Sequence, residues 1–118
     1  MRKSKISISG FKIGTAENRE GLTGVTVILA PDGGATAGVD VRGCAPGTRE
    51  TDLLDPRKTV QKIHAVVLSG GSAFGLEAAS GCVKYLAEQG VGFPIGNVCV
   101  PIVCSAVLFD LMIGDEKA

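Results

Sequence analysis

The clearest pattern of apolar and polar residues in the sequence lies between residues 64 and 90. Four consecutive apolar residues at 65–68 predict a strand that is covered on both faces. The Ser-Gly-Gly segment at 69–71 interrupts this run, and its glycines allow the chain to turn sharply. Apolar residues then recur at helical spacing, with Ser72 as the predicted N-cap and Gly90 as the predicted stop. The segment is therefore predicted to form a strand, a turn and a helix.

Alternating patterns predict further strands before this unit. The first covers residues 5–9, whereas the segment at 15–24 is polar and is predicted to be a surface loop. The apolar segment at 25–30 predicts a strand, and the Pro-Asp-Gly-Gly sequence at 31–34 predicts a turn. Because alternation resumes over residues 35–42, we expect the strands on either side of this turn to form an antiparallel hairpin.

The most apolar segment of the chain lies near its end, at residues 100–113. We interpret residues 101–109 as a strand buried on both faces, with a buried helix as the alternative, because periodicity does not separate the two. No further element follows to cover this segment. We therefore expect residues 1–118 to be a single partial domain, the N-terminal portion of a longer protein, unless a partner covers the apolar segment.

Length and composition limit the possible classes of function. The 118 residues suffice for one modest domain, and 45% of them are hydrophobic. Acidic and basic residues number 12 each, so the zero net charge indicates no basic patch for nucleic acid or an anionic membrane. No run reaches the roughly 18 apolar residues of a membrane span. The first residues show no apolar signal core, so a cytoplasmic location is expected.

The four cysteines do not indicate a metal site. Cys44, Cys82, Cys99 and Cys104 form no Cys-x-x-Cys pair, and no histidine cluster accompanies them. In a cytoplasmic protein, free thiols are favoured over disulfides. We interpret Cys82, Cys99 and Cys104 as small residues of the core.

The turn after the central strand is the strongest candidate for a catalytic or binding site. Gly70-Gly71-Ser72-Ala73-Phe74 departs from the nucleophile elbow G-x-S-x-G only at Phe74, and it has the strand–turn–helix setting of that motif. The one histidine, His64, lies at the other end of the strand, roughly 25 Å away at ~3.3 Å per residue, and does not reach Ser72. Two alternatives remain: Ser72 caps the helix, or the amides of Gly70, Gly71 and Ser72 bind a small anion or an oxyanion.

Three longer motifs resemble the DmpA-type L-aminopeptidase/D-esterase family. They are Gly-Val-Asp-Val-Arg-Gly at 38–43, Pro-Gly-Thr-Arg-Glu-Thr-Asp-Leu-Leu at 46–54 and His-Ala-Val-Val-Leu-Ser-Gly-Gly-Ser-Ala-Phe-Gly at 64–75. The resemblance extends through residues 10–29 and 101–114, so it covers nearly the whole chain.

This resemblance implies a fold and a mechanism. The fold is α+β, a four-layer α-β-β-α sandwich like that of N-terminal-nucleophile hydrolases. A longer precursor cuts itself before a Ser or Thr, whose hydroxyl then attacks the substrate carbonyl while its free amine acts as base. Backbone amides and an Asn side chain stabilise the oxyanion. The resemblance implies no metal or other cofactor. We expect the protein to form a homo-oligomer.

The resemblance also places this chain as the first part of the larger subunit, so the nucleophile is expected to lie outside it. Val103, Cys104 and Ser105 of the last predicted strand are implied to line the substrate pocket. Several family members have a Tyr-Asp pair at the end of this strand, and here the pair is Phe109-Asp110. The phenolic hydroxyl is absent, so its role is lost or met otherwise, and Phe109 is alternatively a core residue.

Three hypotheses follow for the function. In the first, the intact protein hydrolyses N-terminal aminoacyl amide, ester or peptide bonds of short substrates, and this chain needs the remainder of the same protein for activity. In the second, from another class, the chain is a non-catalytic assembly module that self-associates through residues 98–113. In the third, it is a small anion-binding domain that uses the turn at 70–72.

Overall fold

A mixed β-sheet with a helix on one face organises residues 7–115, the part of the chain that the computed structural model describes. Within this part, five strands form the main sheet, two form a separate hairpin, and two 3₁₀ helices accompany one α-helix. The strands are β1 (Lys12–Asn18), β2 (Thr23–Leu29), β3 (Thr48–Arg49), β4 (Ala65–Ser69), β5 (Phe93–Ile95), β6 (Val98–Val100) and β7 (Val103–Val107). The α-helix is α1 (Ala78–Glu88), and the 3₁₀ helices cover Asp52–Leu54 and Ser72–Glu77.

The strand order in the main sheet is β1-β2-β4-β7-β3, so β4 lies at its centre. β4 pairs antiparallel with β2 and parallel with β7, and Val67 at its midpoint lies opposite Val27 and Ser105. A tight turn cannot join two parallel strands. The connection from β4 to β7 therefore runs through the second 3₁₀ helix, α1 and the β5–β6 hairpin.

The core lies between α1 and one face of the sheet. Ala65 and Val67 of β4 and Val103 of β7 cluster with Ala79 and Leu86 of α1, and all five are buried. Small side chains such as those of Ala65 and Ala79 allow a helix to lie close to a sheet. The strand, turn and helix predicted between residues 64 and 90 are confirmed in this order.

The opposite face of the sheet is apolar but open. It carries Val66 and Leu68 of β4, next to Ile28 of β2 and Ala106 of β7. Leu68 is 46% exposed, so the prediction that residues 65–68 are covered on both faces is wrong for the described part of the chain. A run of apolar residues does not specify which segment supplies the covering layer.

The predicted strand at 25–30 is confirmed as β2, but its predicted hairpin partner is wrong. β2 pairs with β1 and β4, whereas residues 35–42 contribute one isolated bridge and no strand. The turn at 31–34 is confirmed, because the Gly34 amide donates to the Pro31 carbonyl at 2.9 Å. After this turn the chain leaves the sheet, since β4 already occupies the second edge of β2.

The N-terminal segment also differs from the prediction. Residues 15–24, predicted to be a loop, include the second half of β1 and the start of β2. All residues of β1 are exposed, as expected of a polar strand at the edge of a sheet. Of the strand predicted at 5–9, the first two residues lie outside the described part, and residues 7–9 form no strand.

The predicted helix stop is confirmed and the predicted cap is wrong. At the C-terminus, the amides of Gly90 and Val91 donate to carbonyls of the last turn, at 3.0 and 2.9 Å, in a Schellman motif. At the N-terminus, Ser72 makes no side-chain capping bond and has φ +52°, whereas an N-cap residue has extended angles. Ser72 instead begins a 3₁₀ helix, and the α-helix begins at Ala78.

The interpretation of residues 101–109 as a strand is confirmed by β7, and the buried helix is wrong. Burial on both faces holds only for the first three residues of β7, because residues 108–109 extend into solvent. Cys82 is buried as expected of a core residue, and Cys104 of β7 is too. Cys99 lies exposed on β6, so the prediction that it belongs to the core is wrong.

Substitution of two helical glycines by alanine should change the stability of the fold in opposite directions. A Cβ at Gly75 would overlap the Gly70 carbonyl oxygen, whereas a Cβ at Gly81 meets open space. We expect Gly75→Ala to lower the free energy of unfolding by about 2 kcal/mol, the usual cost of overpacking. Gly81→Ala is the control and should raise it by roughly 0.5–1 kcal/mol, because alanine favours the helix. Urea denaturation followed by circular dichroism measures both, and equal effects would contradict the packing argument.

Candidate functional site

The candidate site lies where the parallel strands β4 and β7 end. Two segments meet at this edge: the glycine turn at residues 70–72, and residues 108–110 after β7. In open sheets with parallel strands, the crevice beyond the carboxyl ends of the strands is the usual position for a ligand. The predicted glycine turn therefore lies beside the segment that carries Phe109 and Asp110.

A single carboxylate joins the segments at this edge. Asp110 Oδ1 accepts a hydrogen bond from the Gly71 amide at 2.7 Å, and Asp110 Oδ2 accepts one from Thr23 Oγ1 at 2.7 Å. We call this arrangement of Asp110, Gly71 and Thr23 the Asp110 clamp. A Cβ at Gly70 would overlap the Asp110 carboxylate and the Thr23 hydroxyl, so a side chain at this position would displace the clamp.

The remaining amides of the turn are also hydrogen bonded. The Ser72 amide donates to the Leu108 carbonyl and the Gly70 amide to the Gly24 carbonyl, each at 2.9 Å. Together with the clamp, these bonds engage all three amides that were predicted to bind an anion. The turn thus binds a carboxylate of its own chain, and an external anion or oxyanion would have to displace Asp110.

The clamp favours the ionised form of Asp110. The hydrogen bond from the Gly71 amide, and secondly the one from the Thr23 hydroxyl, hold the pKa of the carboxyl below its usual range. Such charge-assisted bonds are among the stronger ones in proteins. The charge on Asp110 is therefore part of what holds the turn in place.

The structure does not assemble a catalytic triad at Ser72. The left-handed φ of Ser72 is uncommon for a residue other than glycine. His64, however, lies before the opposite end of β4, where its Nδ1 accepts a hydrogen bond from the Ile102 amide at 3.1 Å. The elbow pattern therefore has a serine with a positive φ in this chain but no histidine beside its hydroxyl.

The three predicted pocket residues of β7 are buried within the fold. Val103 belongs to the core cluster under α1, and the hydroxyl of Ser105 is buried without a hydrogen-bond partner. The Cys104 thiol donates to the Glu50 carbonyl at 3.4 Å. Burial, and secondly the Glu50 charge, raise the pKa of this thiol. A substrate-binding role for these three residues stays a prediction.

Large apolar side chains are exposed on the segments that follow β4 and β7. Phe74, Leu108 and Phe109 are 82%, 72% and 70% exposed, and Met112 is 86% exposed. We call these four residues the apolar rim. The core-packing alternative for Phe109 is therefore wrong for the described part of the chain. A groove beside the rim runs along the open face of the sheet, past Thr26, Leu68 and Ala106.

Sequence reasoning missed two residues at this site. Thr23 fell in a predicted loop, and no local signal indicates its role because its partner Asp110 is 87 residues away. Phe74 appeared only as a departure from the elbow pattern.

Among residues 7–115, no group of three or more His, Cys, Asp or Glu side chains is placed to hold a metal ion. No helix in that part combines the length and apolar character needed to cross a membrane.

The sheet with one helical layer defines an α+β protein, and comparison with known proteins identifies its family. The sequence profile of peptidase family S58 matches residues 6–118, so the chain belongs to that family. An uncharacterized aminopeptidase of Mycobacterium leprae is 54% identical over 92 residues, which are 78% of this chain and 25% of that protein.

A second group of relatives is named for an endohydrolase and not for an aminopeptidase. A 6-aminohexanoate-oligomer endohydrolase of Paenarthrobacter ureafaciens is 37% identical over 106 residues, which are 90% of this chain and 27% of that enzyme. A 6-aminohexanoate-oligomer endohydrolase of Kocuria sp. is 36% identical over 106 residues, again 90% of this chain and 27% of that enzyme. The chain thus spans about a quarter of the length of the relatives that it matches.

The clamp predicts a specific loss of stability in acid. Because the folded state lowers the pKa of Asp110, its contribution to stability is complete above about pH 4 and is lost as the pH falls further. We expect Asp110→Asn to be less stable than the wild type at pH 7 and to lose less stability between pH 4 and pH 2. Thermal unfolding at a series of pH values measures this.

The control for this prediction is Asp40→Asn. This substitution removes one carboxylate of an exposed ion pair with Arg42. The control should keep the acid dependence of the wild type, because exposed pairs contribute little. Identical acid dependence in Asp110→Asn and Asp40→Asn would contradict the clamp.

Proposed function

We propose that this chain is the N-terminal part of a DmpA-type, self-processing aminopeptidase or amidase. The match of family S58 to residues 6–118 carries this proposal. In the proposed mechanism, the nucleophile is an N-terminal Ser or Thr that self-cleavage creates in a part of the protein outside this chain. The separation of His64 from Ser72 supports this assignment, because the turn alone cannot activate its own hydroxyl.

The open face of the sheet supports a layered architecture. Val66, Leu68, Ile28 and Ala106 present an apolar surface on the side away from α1. We propose that a second sheet from the remainder of the protein packs on this surface and completes a four-layer α-β-β-α sandwich. Two sheets packed in this way bury their inner faces about 10 Å apart.

The proposed substrate is a short peptide or an aminoacyl amide or ester. The relatives are named aminopeptidase and 6-aminohexanoate-oligomer endohydrolase, and both names denote hydrolases. The apolar rim, which includes Phe109, would lie at the mouth of the substrate pocket, while Asp110 holds the turn beside it. Covalent catalysis by a hydroxyl and an amine supplies both nucleophile and base, so the proposal needs no metal.

Activity measurements on two lengths of the protein test this proposal. We expect the 118-residue chain alone to give no turnover of an aminoacyl p-nitroanilide. A polypeptide of the relatives' length that includes this chain should be active, and Ser72→Ala within it should keep kcat within about tenfold, since Ser72 is not the nucleophile. A loss of the order of 10³-fold or more in Ser72→Ala would instead identify Ser72 as the nucleophile.

A second candidate function is self-assembly through residues 98–113. The exposure of Leu108 and Met112 in this segment favours it, because large exposed apolar patches mark interaction sites. If it is correct, sedimentation of the 118-residue chain should depend on concentration, and Leu108→Asp with Met112→Asp should give a monomer. Leu22→Asp is the control, since Leu22 is 61% exposed outside this segment and should leave association unchanged. A monomeric wild type at all concentrations excludes this function.

A further inference from the structure

The end of the β4–β7 pair opposite the clamp is held by the only histidine of the chain. His64 directly precedes β4, and Ile102 directly precedes β7. The His64 amide donates to the Ile102 carbonyl at 2.8 Å, and the Ile102 amide donates to His64 Nδ1 at 3.1 Å. The two residues therefore exchange a reciprocal pair of hydrogen bonds, one of which depends on the imidazole ring.

The direction of the second bond fixes the protonation state of the ring. Because Nδ1 of His64 accepts a hydrogen bond, it carries no proton, and the neutral ring carries its proton on Nε2. An imidazolium donates from both nitrogens, so it would turn an N–H group toward the amide of Ile102. Only 5% of His64 is exposed, which leaves the ring little freedom to turn away. Protonation and this hydrogen bond therefore exclude each other.

The surroundings of His64 connect this bond to three segments of the fold. Its carbonyl accepts from the Ala30 amide at the end of β2, at 2.9 Å. The ring lines a cleft between the turn at 31–34 and residues 90–94, and the charged side chains lining this cleft are Asp32 and Lys62. These two charges have opposite sign, and Ile102 and its neighbours at the start of β7 bring no charged group. The hydrogen bond to Ile102 is thus the main interaction that protonation removes.

We propose that His64 is an acid-sensitive latch, which releases the starts of β4 and β7 at mildly acidic pH while the Asp110 clamp keeps their other ends closed. The open form accepts a proton on Nδ1 once the Ile102 amide has moved away. Burial lowers the pKa of His64 in the closed form below its usual value of about 6.5. The latch is therefore fully closed above that pH and weakens as the pH falls toward the lowered pKa.

Amide exchange and the histidine signal test the latch in the wild-type chain. Because the chain has one histidine, its ring proton in NMR spectra reports the pKa directly, and we expect a value below 6.5. As the pH falls from 6.5 to this histidine pKa, the protection of the Ile102 and Ala65 amides against hydrogen exchange should decrease by up to tenfold per pH unit. Protection of Gly71 should stay constant. A histidine pKa of 6.5 or higher, or equal losses at Ile102 and Gly71, would overturn the proposal.

Two variants give an independent test by thermal unfolding. His64→Asn retains an oxygen acceptor near the position of Nδ1 but does not titrate, so its Tm should be flat between pH 8 and pH 5. Asp110→Asn is the control and should keep the wild-type loss in this range, because its own change occurs in stronger acid. A His64→Asn variant that loses as much Tm as the wild type would overturn the latch. If His64→Asn does not fold, the wild-type exchange measurements decide the question.

Discussion

The parallel pairing of β4 with β7 is the constraint on which the rest of the structure depends. Parallel strands have no turn between them to fix their register, and the connection here is a helix and a hairpin. Side chains secure both ends instead. His64 before β4 accepts from the amide before β7, and Asp110 after β7 accepts from the amide of Gly71 after β4. A side-chain hydrogen bond therefore joins the two strands at each end of the pair.

This arrangement explains why the glycine turn has the sequence that it has. Gly70 leaves space for the Asp110 carboxylate and the Thr23 hydroxyl, Gly71 supplies a left-handed conformation, and Gly75 leaves space for the Gly70 carbonyl. A turn of this kind resembles an anion-binding site, and here its Gly71 amide binds an anion of the same chain, the Asp110 carboxylate. The glycine turn that resembles a nucleophile elbow thus holds a carboxylate of its own chain.

The distribution of apolar surface agrees with membership of a family whose named members are much longer. One face of the sheet is buried by α1, while the other face and the apolar rim are exposed in the described residues. Burial of apolar surface is the dominant favourable term in folding, so such a face is expected to have a partner. Within the described residues, the chain therefore forms one sheet with one helical layer and leaves apolar residues of the other face exposed.

The sequence by itself determined most of the local elements: the strand β4, the turn after it, and the helix with its stop at Gly90. For β7 it left a strand and a buried helix as alternatives, and the tertiary structure decided between them. Apolar periodicity and glycine conformation are local properties, so they can be inferred from the sequence without knowledge of the fold. It did not determine which strands pair. The segment at 35–42 has an alternating pattern yet leaves the sheet, because β4 takes the edge of β2. Only the tertiary structure brought Asp110 to Gly71 and Thr23, since hydrogen bonds between residues 39 and 87 positions apart leave no periodic signal in a sequence.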